Sequence, residues 1–231
     1  MSEGQHIPYA ASALPVPHAR SVLVLAPHPD DETIGCGGSA ALYAQAGIPV
    51  RALVMTDGSL WGAPPPGMGV VEAREAETRA AAQVLGCAEP LFARHPDRHL
   101  PTGAVLVAEI VAQVRASGAD TVFAPSLWEV HPDHRVLAEA AIDALEALGA
   151  GYTLVQYEVG MPLLPNVLVD ITPVLECKHK AMACFVSQLA MQAYDRHVNA
   201  LNVFRTYTLP ASVLAAEGFR VCTPQEARDD P

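Results

Sequence analysis

Short apolar runs alternate with helical periodicities along this chain, and glycines punctuate many of the changes. "SVLVLA" (21–26) and "VRALVMT" (50–56) are almost unbroken apolar runs, which suits strands buried on both faces of a parallel sheet. "PLFA" gives a short third strand, "DTVFAP" (120–125) a fourth, and "YTLVQYEV" (152–159), "NVLVD" (166–170) and "GFRVC" further ones. Between them the period changes to that of a helix. Leu106, Ile110 and Val114 share one stripe of a helix over 103–117, and Ala138, Ile142 and Leu145 one of a helix from about Asp133 to Leu148. Gly118 and Gly149 stop them. Further helices are predicted from about Gly35 to Ala46, up to "VLG" (84–86), over 172–184 and near 188–200. Such alternation predicts an α/β, Rossmann-like, doubly wound and mainly parallel sheet with helices on both faces. No repeat or linker divides it, so residues 1–231 read as a single α/β domain. Residues 1–19 form an N-terminal extension, and about 150–231 a C-terminal subregion shaping the cleft.

The ends of two predicted strands carry the chemistry. "VLAPHPDDETIGCGG" (24–38) leaves the first strand on His28, Asp30, Asp31 and Glu32, and "WEVHPDHRV" (128–136) follows the fourth. In open α/β sheets ligands bind at the carboxyl ends of the strands, and the first and fourth strands are neighbours in a common doubly wound order. The two loops then face each other. His28 and Asp31 at i, i+3 with His134 give two imidazoles and one carboxylate, a catalytic zinc set with a position left for water. An acidic helix cap also accounts for "PHPDDE", but needs no His-rich partner loop.

Composition narrows the classes. Hydrophobic residues make up 51% and aromatics 6%, so the core is built from Ala, Val and Leu. Formal charge is −11 with no Lys/Arg cluster, which argues against nucleic acid and anionic membrane surfaces. Apolar stretches fall short of the ~20 residues of a membrane span. The N-terminus carries no export-signal pattern, and five unpatterned cysteines suit reduced thiols, so a cytoplasmic location is expected.

"APHPDDE" with the later "HPDH" resembles the PIG-L/LmbE family of zinc-dependent N-deacetylases. "LVMTDGS" (53–59), "REAETRAAAQVLG" (74–86) and "KHKAMACFVSQ" (178–188) extend the likeness across about residues 20–190. The resemblance implies one Zn²⁺ per chain on His28, Asp31 and His134, with Asp30 as general base. It implies His131 as electrophile, stabilising the oxyanion and protonating the leaving amine, a task protonated Asp30 could also perform. Asp133 would orient His131 or cap the helix, or both. The implied substrate is an N-acetylated amino sugar or glycoconjugate, cleaved to acetate and free amine; homo-oligomerisation stays open.

Several readings are left double at this stage. Arg74 is either a substrate-facing cation or a surface partner of its own helix, and Asp57 either a sugar ligand or a turn residue. Glu32 fixes His28 or a backbone amide. Glu129 and Phe185 depart from the family pattern, which bears on substrate identity, and Glu129 is a candidate substrate contact. "ARHPDRH" (93–99) repeats the His-Pro-Asp string and reads as a loop near the mouth, not a ligand set. His179 and His197 read as structural. "GCGG" lacks the G-x-G-x-x-G spacing of a phosphate loop, and Cys36 is a weak ligand candidate. Two other classes compete: a metal hydrolase whose second ion sits on Glu32 and Asp133, and a non-catalytic nucleotide-binding module.

Overall fold

The computed structural model describes residues 8–229. The start of the N-terminal extension, residues 1–7, on which the export-signal reading partly rests, lies outside the described residues. In chain order the elements are β1 (Val22–Ala26), α1 (Asp31–Gln45), β2 (Val50–Thr56), α2 (Val70–Leu85), β3 (Leu91–His95), α3 (Ala104–Ser117), β4 (Thr121–Pro125) and α4 (Pro132–Leu148). β5 (Thr153–Tyr157), β6 (Val167–Asp170), a 3₁₀ turn (Thr172–Val174), α5 (Leu175–Met182), α6 (Val186–Leu189), α7 (Tyr194–Phe204), β7 (Ala216–Cys222) and α8 (Pro224–Asp229) complete it.

The sheet order is β3-β2-β1-β4-β5-β7-β6. All pairs from β3 to β5 are parallel, and β7 runs antiparallel to both its neighbours. β1 and β4 lie side by side, so the loops after them share one edge. Side chains alternate across β1: Val22 and Val24 join one core, Leu23 and Leu25 the other. That double burial is why the strand reads as an unbroken apolar run.

Two expectations shift. The first helix begins at Asp31, not near Gly35, and the helix expected near 188–200 is two, α6 and α7. The early start of α1 comes with a kink at Cys36 (φ −143°, ψ 19°). At this kink Lys178 Nζ donates to Ile34 O at 3.0 Å, and Glu217 accepts from Gly38 N and Ser39 N at 2.7 and 2.8 Å. A buried ion pair, Lys178–Glu217 at 2.7 Å, thus braces backbone groups on both sides of the kink. The small residues of "GCGG" allow close packing: a Cβ on Gly35 would lie 2.2 Å from the Tyr157 ring and 2.7 Å from Glu158 O. The first turn of α1 is therefore set independently of the rest of the helix, and that turn carries the acids.

Candidate functional site

The loops after β1 and β4 bring three donor atoms to one point. His28 Nδ1 lies 3.1 Å from Asp31 Oδ2 and 3.1 Å from His134 Nε2, and His134 Nε2 lies 3.2 Å from Asp31 Oδ2. Two imidazole nitrogens that close can share at most one proton. Ligands about 2.0–2.2 Å from a tetrahedral ion stand roughly 3.3–3.6 Å apart, so the near-equilateral triangle has the size of a zinc face. The cluster is able to hold a metal ion, and all three residues are buried.

The far atoms of the two imidazoles are also held. His28 Nε2 faces Asp133 Oδ2 at 3.2 Å and Asp97 Oδ1 at 3.4 Å, which fixes the ring with Nδ1 turned to the triangle. His134 Nδ1 has Glu129 Oε2 at 3.3 Å, an ionic contact whose angle falls short of a hydrogen bond. Burial works against charge on His134, yet Asp31 and Glu129 push its pKa up to about 9. Asp31 is buried as well, but the two imidazoles hold its carboxyl well below the usual range. High proton affinity at nitrogens around an ionised carboxylate is what a divalent cation replaces on binding.

Asp30 stands apart from the triangle. Its φ of 140° is rare outside glycine, its carbonyl caps α1 through Thr33 N and Ile34 N, and its carboxylate meets Arg74 Nη2 at 3.2 Å. Burial pushes the Asp30 carboxyl up, Arg74 pulls it back and Asp31 adds to the rise. Glu32 accepts Asp30 N–H at 3.1 Å and the Thr33 hydroxyl, which settles its two readings on the backbone amide. Burial, with Asp30 beside it, pushes Glu32 up to about 8.

Asp133 is placed differently from its expected pairing. Its carboxylate lies on His28 and accepts Arg98 N–H at 2.7 Å, while His131 Nδ1 accepts the backbone N–H of Asp133 at 3.3 Å. The cause is helical geometry: His131 is the N-cap of α4, which turns its ring onto its own helix and leaves the Asp133 carboxylate pointing at β1. With Nδ1 accepting, neutral His131 carries its proton on Nε2. Burial, with His28 and His134 near, holds its pKa down.

Arg74 is not a surface partner. It is buried on α2, donating to Gly58 O and Pro29 O as well as meeting Asp30. Glu129 is buried too, accepting from Val159 N and Gly160 N while facing His134; it ties the 158–162 loop to a ligand. Asp57 accepts Ser59 N and Asp97 N, the turn reading, and so anchors the 93–99 loop. Phe185 is core, and Cys36 Sγ donates to Glu32 O inside α1.

The largest surprise is Asp97. The 93–99 loop follows β3 at the same sheet edge, and its aspartate is buried against His28. Its histidines go elsewhere, His95 to Glu109 and His99 to Asp97 O. The available signal was position: a third His-Pro-Asp string at a third strand's carboxyl end. Wider groupings of His28, His131 and His134, and of His28, Asp97, His131 and Asp133, lie within 4.8 Å. Among the described residues, Glu32 joins neither of these groups.

Above the triangle opens a cavity of about 650 Å³, within the range of small-molecule sites. Leu60 and Trp61 of the 57–69 loop, Val130, Pro162, and Tyr194, Val198 and Leu201 form much of its wall, with His197 beside them. Among the described residues no helix is long and apolar enough to cross a membrane.

Fold and site together define an α/β protein with a buried His/Asp cluster able to hold a metal ion at the sheet's carboxyl edge. Residues 23–145 match the family model described as PIG-L, GlcNAc-PI de-N-acetylase, and the chain belongs to that family. It is 29% identical over 199 residues to diacetylchitobiose deacetylase of Thermococcus kodakarensis, covering 78% of this chain and 74% of that protein. A solved structure of N,N'-diacetylchitobiose deacetylase from Pyrococcus horikoshii, with inhibitor, superposes with a TM-score of 0.79 at 27% identity, covering 90% and 86% of the two chains. GalB, a 4-carboxy-2-hydroxymuconate hydratase from Pseudomonas putida, reaches 0.75 at 23% identity over 89% and 97%, a likeness of fold alone.

Proposed function

We propose that this chain is a zinc-dependent amidohydrolase that removes acetyl from an N-acetylated amino sugar or glycoconjugate. The observation that carries the reading is the triangle of His28 Nδ1, Asp31 Oδ2 and His134 Nε2 at 3.1–3.2 Å, with Asp30 beside it on the cavity floor. Family membership and the deacetylases among its relatives support the same chemistry. The separations of 3.1–3.2 Å among His28 Nδ1, Asp31 Oδ2 and His134 Nε2 support Asp31 as the third ligand.

Zn²⁺ held there would polarise the amide carbonyl and acidify a water. Asp30 takes the proton of the attacking water; Arg74, meeting its carboxylate from behind, holds its direction. His131 offers Nε2–H to the developing oxyanion, its Nδ1 fixed by Asp133 N–H. The proton collected by Asp30 passes to the leaving nitrogen as the C–N bond breaks, giving acetate and amine. Asp133, Asp97 and Glu129 position the two histidine ligands.

One α/β unit carries all of this, and the segment from about 150 onward shapes the cleft through Glu158–Pro162 and Tyr194–Asn202. Five cysteines, all free, suit a reducing compartment, and we place the protein in the cytoplasm. The test is release of primary amine and acetate from N-acetylglucosamine and its glycosides by zinc-loaded protein. Turnover should vanish on chelation and return with zinc. Turnover unaffected by chelation, or none on any N-acetyl sugar, contradicts the reading.

A further inference from the structure

Among the described residues, three other than glycine hold positive φ: Asp30 at 140°, Arg94 at 58° and Arg98 at 64°. Such backbone is uncommon outside glycine and persists where the surrounding structure holds it. Two of the three have evident employment. Asp30 faces the donor triangle, and Arg94 forms a two-point pair with Glu75 at 2.5 and 3.0 Å. Arg98 has no such partner. Its backbone N–H is latched to Asp133, but among the described residues no carboxylate or carbonyl accepts from its guanidinium.

Arg98 is exposed and lines the cavity. The other arginine of the lining, Arg74, is spent on Asp30, Gly58 and Pro29. Among the described residues, Arg98 is therefore the one arginine or lysine of the cavity lining whose side chain has no hydrogen-bond or ionic partner. Its base is rigid: Asp57 accepts the N–H of Asp97, and Asp97 accepts Leu60 N–H. A glycine would take φ 64° without strain, so an arginine here is a choice of side chain against backbone preference.

We propose that Arg98 is a specificity residue that reads a carboxylate on the substrate, carried on the part of the molecule beyond the N-acetyl sugar. The inference rests on the deacetylase reading and adds a substrate class to it. A guanidinium fork matches a carboxylate in two parallel hydrogen bonds. One cation balances one charge. The aspartates around it, Asp97 and Asp133, disfavour the second charge of a phosphate monoester.

The test compares three N-acetylglucosamine glycosides: a 2-carboxyethyl glycoside, its methyl ester, and a 2-phosphoethyl analogue. Wild type should favour the carboxylate over the ester by about 10–100-fold in kcat/KM, the worth of a charge-assisted pair, mostly through KM. Arg98→Gly should bring that ratio close to one and leave the melting temperature equal or higher, because the strain is relieved. Calorimetric binding of the deacetylated products to both proteins reads the same preference without turnover. Absent turnover therefore counts against the deacetylase, and an absent preference against Arg98. A carboxylate preference that survives Arg98→Gly, no preference in wild type, or tighter use of the phosphate overturns the proposal.

Discussion

Two adjacent aspartates have different surroundings, and their chemistry should differ accordingly. Asp31 Oδ2 lies within 3.2 Å of both imidazole nitrogens, whereas Asp30 meets Arg74. Asp30→Asn should keep its zinc and fold while kcat falls by about 10²–10⁴, the usual worth of a general base. Asp31→Asn should lose zinc. Metal content and turnover, measured on both variants, check the division; a zinc-free Asp30→Asn beside a zinc-replete Asp31→Asn reverses it. Asp133 acts through His28, so Asp133→Ala should weaken zinc affinity by about 10–100-fold, read by competition with a chromogenic chelator. Unchanged affinity would show that Asp97 alone orients the ring. The convergence of His28, Asp31 and His134 was legible in the sequence because they sit at the ends of plainly apolar strands. The pairing of Asp133 was not, since adjacent residues at a helix start diverge and spacing alone does not say which ring a carboxylate meets.

At the scale of elements, the kink in α1 is what separates the acidic turn from the rest of its helix. Lys178 on α5 and Glu217 on β7 hydrogen-bond to Ile34 O, Gly38 N and Ser39 N on either side of it. Both side chains are buried, so Lys178→Met leaves a carboxylate without its cation. It should cost about 3–5 kcal/mol by denaturant unfolding. Much of that should return in Lys178→Met with Glu217→Gln, whose side chain is neutral. Equal losses in the single and double variants would mean that the stranded carboxylate is not the cause of the loss. The sequence showed small residues after the acids and predicted close packing, but not the kink. A helix broken by partners some 140 and 180 positions away carries no local signal, and so the helix was expected to begin four residues late. The split between α6 and α7 was equally hidden, because no glycine or proline marks residues 190–193.

For the whole molecule, the doubly wound order brings the ends of β1, β3 and β4 to one edge, and the long α7 segment supplies much of the apolar wall opposite. Apolar runs and stopping glycines made most strands and helices readable up to β4. The antiparallel β7 between β5 and β6 was not, because strand direction depends on the connection and not on the run itself. The same fold serves a protein named as a hydratase, so the account stands or falls on the metal centre, not on the architecture. The most direct test is anomalous scattering at the zinc edge from crystals of zinc-loaded protein. One peak per chain is predicted inside the triangle, about 2.0–2.2 Å from His28 Nδ1, Asp31 Oδ2 and His134 Nε2. A peak on the other side of the His28 ring, among Nε2, Asp97 and Asp133, or no peak at all, would contradict the account.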